Sequence, residues 1–360
     1  MVSSQHQTEN LLQVINANYA ATRESSVGMR SQYWENFILR KGNFIDDADS
    51  WMNMRRNGVT VGLDNANISH VDSGTHHALT RRLYARVKKQ VPEIYWPLFE
   101  ESGVGNPFTV RIDGREVSRS TIELVLMLTH IAPQLEHASV VVEIGGGYGG
   151  LARIVKLAFP SVKYVVVDLP EINAIQTYFL RRCFPNSSFV YATDVADLST
   201  IDPQELNADF TIIPGTFMRR FKSGCLDCAI NARSMMEMDL ETVAFYFECL
   251  HRQLKTEGAF YCLNRYKKKT RLKDYPFDER WSVQRSVPWS RLIDYNRHHE
   301  LIAVRKDYRV VDGVRELLKT LPPSDHPVVK TARLLFTSLP RPVKQLCAKL
   351  ESRWALWMRS

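Results

Sequence analysis

The 360-residue chain has no apolar run near the roughly 18 residues that span a bilayer, and its opening MVSSQHQTEN has neither the basic nor the apolar segment of a secretory leader. A cytoplasmic protein is the expectation. Cysteine is sparse: Cys183, Cys225, Cys228, Cys249, Cys262 and Cys347 are scattered along the chain, so reduced thiols are expected rather than a disulfide framework. Cys225 and Cys228 make a CxxC, but no second CxxC or histidine pair stands at zinc spacing, and Cys228 falls inside an apolar run. A metal or redox role is therefore not expected. Internal repeats, low-complexity tracts, helix-turn-helix signatures, zinc fingers and aromatic RNA-binding motifs are absent too. Nucleic acid has no motif to bind.

What is present is an ordinary globular composition, with 44% hydrophobic and 24% charged residues. A chain this long buries about three quarters of its unfolded surface, enough for one large domain with accessory parts. The net charge of +8 favours an anionic partner, whether nucleic acid, an acidic glycan, a nucleotide-linked sugar or a membrane face, and charge alone does not choose among them. The densest basic run is Arg265, Lys267, Lys268, Lys269, Arg271 and Lys273.

Three regions are expected. Residues 1–115 read as helices broken by loops, with apolar rhythms through Leu11, Leu12, Ile15 and Tyr19 and through Leu79, Leu83, Tyr84 and Val87. Between them the stretch RRNGVTVGLDNANISHVDSG reads as exposed loop, and Asp46, Asp47 and Asp49 as loop and helix cap rather than a magnesium site. This region would cap the acceptor pocket. Residues 116–310 open with a helix over Ser120–Leu135, capped by Ser118 or Ser120. Short apolar strands then alternate with helices, the pattern of a parallel sheet covered on both faces. The strands are Val140–Ile144, Tyr164–Val167, Phe210–Ile213, Leu226–Ile230 and Ala259–Leu263, with two later edge strands near Trp281–Val287 and Leu301–Lys306. Phe189–Ala192 is either a strand proper or an inserted ribbon. Residues 311–360 return to helix: Val343, Leu346, Cys347, Leu350, Trp354 and Trp357 recur at helical spacing with basic residues between. That helix would dock on the body or a second subunit, or lie on a membrane surface.

The stretch VVVEIGGGYGG, 140–150, runs an apolar strand into a glycine-rich turn, so backbone can approach a ligand closely at the strand's carboxyl end. Gly145, Gly147 and Gly149 fit GxGxG, while Gly145, Gly147 and Gly150 fit the dinucleotide GxGxxG. Spacing alone does not choose. Glu143 does: a pyrophosphate at this turn would meet like charge, whereas S-adenosylmethionine brings an ammonium and a sulfonium. Asp168 ends the second strand near the offset of a ribose-binding carboxylate, or else caps the next helix. Leu169 would flank the adenine. For the base-binding loop there are two candidates, Asp194 and the Thr216–Phe217 turn, and the second gives the more natural distance to the next strand.

These residues carry a resemblance. EIGGGYGGLA, VVVDLPE with TYFL after it, FTIIPG, DCAIN followed by SMMEM, and FYCLNR are together similar to the sugar O-methyltransferase family of class I methyltransferases. SQYWENF, NMRRNGVTVGLDN and GNPF extend the likeness upstream. The resemblance implies a Rossmann-like sheet, S-adenosylmethionine as cofactor, and a sugar, nucleotide-sugar or glycan hydroxyl as acceptor.

Methyl transfer needs alignment and a group to take the hydroxyl proton. Asn231 ends the fourth strand at the crevice, and Ser234 and Met235 follow as acceptor-side candidates. Many O-methyltransferases resembling this core keep a catalytic histidine about nine residues beyond the aspartate that opens this strand; counting from Asp227 reaches Met236, with Glu237 beside it. Glu237 is thus the expected base, with the flanking methionines raising its pKa; the other reading is a helix-start residue. His76 and His77 are reserve candidates. Arg265 could fork onto a phosphate or carboxylate of the acceptor. The rival functions are methylation of a polyketide or lipid hydroxyl, a nicotinamide-dependent oxidoreductase, and a catalytically silent cofactor-binding module.

Overall fold

The computed structural model describes residues 2–41, 48–56, 73–289 and 297–323. The expected C-terminal amphipathic helix, Asp46 and Asp47 of the aspartate string and most of the turn-rich stretch lie outside them.

Hydrophobic alternation builds the centre of the molecule. β3 (Val140–Ile144), β4 (Lys163–Asp168), β6 (Phe210–Pro214), β7 (Leu226–Ala232) and β8 (Leu254–Arg265) lie parallel, with the short β5 (Phe189–Tyr191) beside β6. β10 (His298–Arg305) turns antiparallel against β8, and β9 (Trp281–Pro288) closes the edge. The order is β5-β6-β4-β3-β7-β8-β10-β9, a Rossmann-like doubly wound sheet with an antiparallel edge. Successive residues face opposite sides. Val141, Tyr164, Val166, Phe210, Ile212 and Ile230 pack toward α5 (Arg119–Leu135), α6 (Gly150–Ala158) and α7 (Pro170–Cys183). Val140, Val142, Ile144, Val165, Val167 and Phe260 pack toward α8 (Leu240–Gln253) and α9 (Val314–Thr320). Each such side chain, fully buried, contributes about 1.5–3 kcal/mol. Glu143 breaks the pattern at a position where its neighbours dictate an apolar residue.

Of the two readings of Phe189–Ala192, the strand proper is the one found: β5 is only three residues long and pairs parallel with β6 at the sheet edge. β8 begins five residues before the apolar run, where Leu254 pairs with Leu226, and a register shift before Ala259, with Glu257 at φ 64°, absorbs the extra residues. Ser118, not Ser120, caps α5: its Oγ accepts the Thr121 N–H at 3.0 Å.

Upstream lie α1 (Val2–Thr22), α2 (Gln32–Lys41), α3 (Ala48–Met52) and α4 (Ser73–Lys88), then a 3-10 segment at Glu93–Phe99. The reading of 1–115 as helix and loop misses a hairpin, β1 (Val110–Ile112) with β2 (Arg115–Val117). Its turn is Asp113–Gly114, both at positive φ (52° and 79°), the geometry that matches strand twist in two-residue loops. α1 lies on α7, where Glu171 accepts from Arg30 at 2.6 Å and from the Tyr19 hydroxyl at 3.4 Å.

Candidate active site

The carboxyl ends of β3, β4, β7 and β8 open into one cavity of about 510 Å³, walled on its other sides by α5, by Met29 and Trp34 of the N-terminal region, and by Arg297 and His298 where β10 begins. Strand topology divides its chemistry. One lobe lies over β3 and β4, the other over β7, β8 and β10.

The first lobe holds Glu143, Gly145, Gly147, Asp168 and Leu169. Gly145 sits at φ 74°, and a Cβ there would fall 2.0 Å from Ser234 Oγ, so only glycine fits. Glu143 is 2% exposed and its Oε2 accepts the Tyr164 hydroxyl at 2.9 Å. Burial pushes its pKa up to about 7 against the pull of that hydrogen bond, and the Asp168 charge adds to the rise. Asp168, partly open to the cavity, accepts the Leu169 N–H and the Gln176 amide, both at 2.8 Å. Burial lifts it to about 7 as well. Asp168 is not a helix cap; Leu169 occupies the N-cap of α7 and Pro170 its first turn. Two carboxylates on the cavity wall within electrostatic reach of each other fit a ligand that brings positive charge and ribose hydroxyls. They repel a pyrophosphate.

Several expected cofactor residues stand behind this wall rather than on it. Gly149 is the N-cap of α6 and lies against Leu180. Asn231 is fully buried: its Nδ2 donates to the Ile144 carbonyl at 2.8 Å and to Ser234 Oγ at 2.5 Å, while its Oδ1 accepts from Asn264 at 2.7 Å. It braces the turn without reaching the cavity. Thr216 and Phe217 are on the 3-10 turn after β6 but do not line the cavity, because Tyr246 of α8 covers that stretch, its hydroxyl lying against Gly215. Asp194 turns back to accept the Tyr191 N–H at 2.7 Å.

The second lobe holds Ser120, Glu123, Arg233, Ser234, Met236, Glu237, Met238, Arg265 and Lys268, with Arg119 at the start of α5. Glu237 is buried, which raises its pKa, opposed by ion pairing with Lys268 Nζ and by the nearby Arg265 charge. Arg233 sits at φ 66°, a strained conformation for arginine, and donates to Glu123 at 2.8 Å. Ser234 lines the cavity, but its hydroxyl is committed to the Ile144 carbonyl at 3.0 Å. Met235 is fully buried on the α8 side; its neighbours Met236 and Met238 face the cavity instead, since successive residues of a 3-10 turn point about 120° apart. Neither reserve histidine lines the cavity. His77 is exposed, and His76 is buried in the cap against Phe108, its pKa lowered to about 4 by burial and the Arg119 charge.

Arg119, Glu123, Arg233, Trp34, Tyr246 and Arg297 carry no motif. Arg233 beside Ser234 was the nearest to legible, lying directly past the fourth strand. Cys225 and Cys228 are buried with thiol pKa values near 12, and no group of metal-ligating side chains occurs among the described residues.

An O-methyltransferase domain model matches residues 84–192, the span that carries the glycine turn and both lobe-one carboxylates. With the sheet and this site it makes the chain an S-adenosylmethionine-dependent O-methyltransferase. No curated protein matches the chain. Among solved structures it is similar to the mitomycin 7-O-methyltransferase MmcR (14% identity over 72% of this chain and 76% of that one, TM-score 0.32). It is similar also to phosphoethanolamine N-methyltransferase 1 of Haemonchus contortus (12%, 69% and 53%, 0.35) and to the tRNA methyltransferase TrmK of B. subtilis (12%, 49% and 64%, 0.31). Likenesses this distant carry no argument about acceptor or mechanism.

Proposed function

We propose that the enzyme methylates a hydroxyl of a sugar or glycan. The observation that carries this reading is the lining of the second lobe: arginine, lysine, glutamate, serine and histidine side chains outnumber apolar ones there. A polyhydroxylated acceptor can exchange hydrogen bonds with such groups, whereas a flat polyketide or a lipid chain would displace their water and return none.

Glu143, Asp168 and the glycine turn would hold the cofactor, which supplies a methyl group on a positively charged sulfur. Glu237 would take the proton of the acceptor hydroxyl, so that the hydroxyl oxygen can displace the sulfur from that methyl carbon. Lys268 keeps Glu237 ionised and oriented. Met236 and Met238 exclude water beside it.

The test is methyl transfer by the full chain to a panel of monosaccharides, sugar nucleotides, oligosaccharides, and polyketide and lipid alcohols, with Glu237→Gln alongside. Turnover on a carbohydrate, reduced at least about 100-fold in the variant at unchanged cofactor affinity, is expected. Turnover confined to non-carbohydrate alcohols rejects the acceptor reading; a fully active variant rejects the base.

A further inference from the structure

The loop expected to meet the cofactor's base is covered, and the side chain that covers it faces the cavity. Tyr246 of α8 lines the cavity, is only 4% exposed, and sets its hydroxyl against the backbone of Gly215, where a Cβ would collide with it. Among the described residues no group hydrogen-bonds to that hydroxyl. Burial pushes its pKa up and the Asp168 charge adds to the rise, so it stays a neutral donor and lies within electrostatic reach of Asp168. Thr242, one turn earlier on α8, lines the cavity too, so this face of the helix is turned inward. A donor this enclosed, with no acceptor from the protein, is unfavourable unless a ligand or water supplies one.

Sheet order decides which part of the cofactor comes within its reach. The glycine turn follows β3, Asp168 ends β4 and Gly215 follows β6, and the three strands are neighbours in that order. A cofactor with its methionine portion over the turn and its ribose on Asp168 therefore extends its base toward Gly215. Met29, whose Cε lies 3.5 Å from the Cβ position of Gly215, and Leu169 add apolar surface at that end of the cavity.

We propose that Tyr246 reads the adenine of the cofactor, its hydroxyl donating to a ring nitrogen of the base, so that a helix side chain does what the covered loop after β6 was expected to do. This rests on the reading of the first lobe as the cofactor site.

The test is calorimetric titration of the full chain and of Tyr246→Phe with S-adenosylhomocysteine and with analogues in which one acceptor nitrogen of the base at a time is replaced by carbon. Because the hydroxyl bonds to nothing in the protein, the variant should melt with the unmutated chain in the absence of ligand. It should bind S-adenosylhomocysteine about three- to tenfold more weakly. One analogue should show the same loss on the unmutated chain and no further loss on the variant, a coupling that a merely structural role for the tyrosine would not produce. Gly215→Ala, which displaces the hydroxyl without removing it, gives a second reading: it should weaken S-adenosylhomocysteine binding in the unmutated background and less so in Tyr246→Phe. Unchanged affinity in Tyr246→Phe, or a loss shared equally by every analogue, overturns the proposal and leaves the cofactor site intact. Failure of the unmutated chain to bind S-adenosylhomocysteine would overturn both.

Discussion

Glu143 and Asp168 tie cofactor binding to pH. Each is a carboxyl lifted to about 7 in the ligand-free site, and a cationic ligand requires them ionised, so below pH 7 binding must release protons. Affinity should therefore drop as the solution is acidified, by about tenfold between pH 8 and 6 for each proton released. The two titrate as a coupled pair, and calorimetry in buffers of different ionisation enthalpy reads the proton count directly. Affinity flat over that range would refute the linkage. The sign reverses for the ligand-free fold: a carboxyl whose folded pKa is raised favours the folded state when protonated, and that contribution is lost as pH climbs from about 4.5 through 7. Glu143→Gln keeps an acceptor for the Tyr164 hydroxyl and removes the buried charge. Its melting temperature at pH 8 should rise by a few degrees, while the shift induced by S-adenosylhomocysteine collapses. For Glu237 burial again raises the pKa, and the neighbouring Lys268 cation opposes the rise. Lys268→Met should move the acid limb of the kcat/KM profile to higher pH, and an unmoved limb would separate Lys268 from the base.

At the scale of elements, a buried ion pair fastens the N-terminal region to the glycine turn. Arg55, 1% exposed, donates from both terminal nitrogens to Glu101 at 2.8 and 2.9 Å, and Ser118 and Thr121 add hydroxyls at 2.6 Å each. The same guanidinium lies 4.5 Å over the ring of Tyr148, inside the turn. Arg55→Met should cost about 3–5 kcal/mol, because it strands a buried carboxylate, and urea unfolding would measure it; a loss under 1 kcal/mol would make the pair ornamental. None of this was legible in sequence, because Arg55, Glu101 and Tyr148 meet only through tertiary packing. The parallel strands were legible for the opposite reason. β3, β4 and β6 are covered on both faces, so each is a near-continuous apolar run ending in a turn, and Glu143 stands out within VVVEI. The cavity's second wall draws on residues from Met29 to His298, so its members share no spacing that a motif could record. Thr216 had the right topology, one strand over from Asp168, and lost its place to Tyr246, whose reach from α8 no local pattern announces.

At the scale of the whole molecule, the site is closed by two parts of the chain that are far apart in sequence. Met29 and Trp34 line the same cavity as Gly145 and Asp168, and Arg30 between them binds Glu171 in the first turn of α7. α7 begins two residues past Asp168, so the side chain that would hold the ribose and the carboxylate that anchors the cap ride on one rigid helix start. A ligand filling the first lobe touches both parts and should lower the free energy of the closed arrangement only. Local opening of the cap is then suppressed by mass action, by about 2.7 kcal/mol at a hundredfold excess of ligand over its dissociation constant. Hydrogen exchange of the α2 amides should slow by up to about 100-fold on adding S-adenosylhomocysteine, and in Arg30→Met the unliganded rate should rise. Exchange in α2 indifferent to ligand would mean that the cap closes over the acceptor and not over the cofactor, and would assign Met29 and Trp34 to the second lobe.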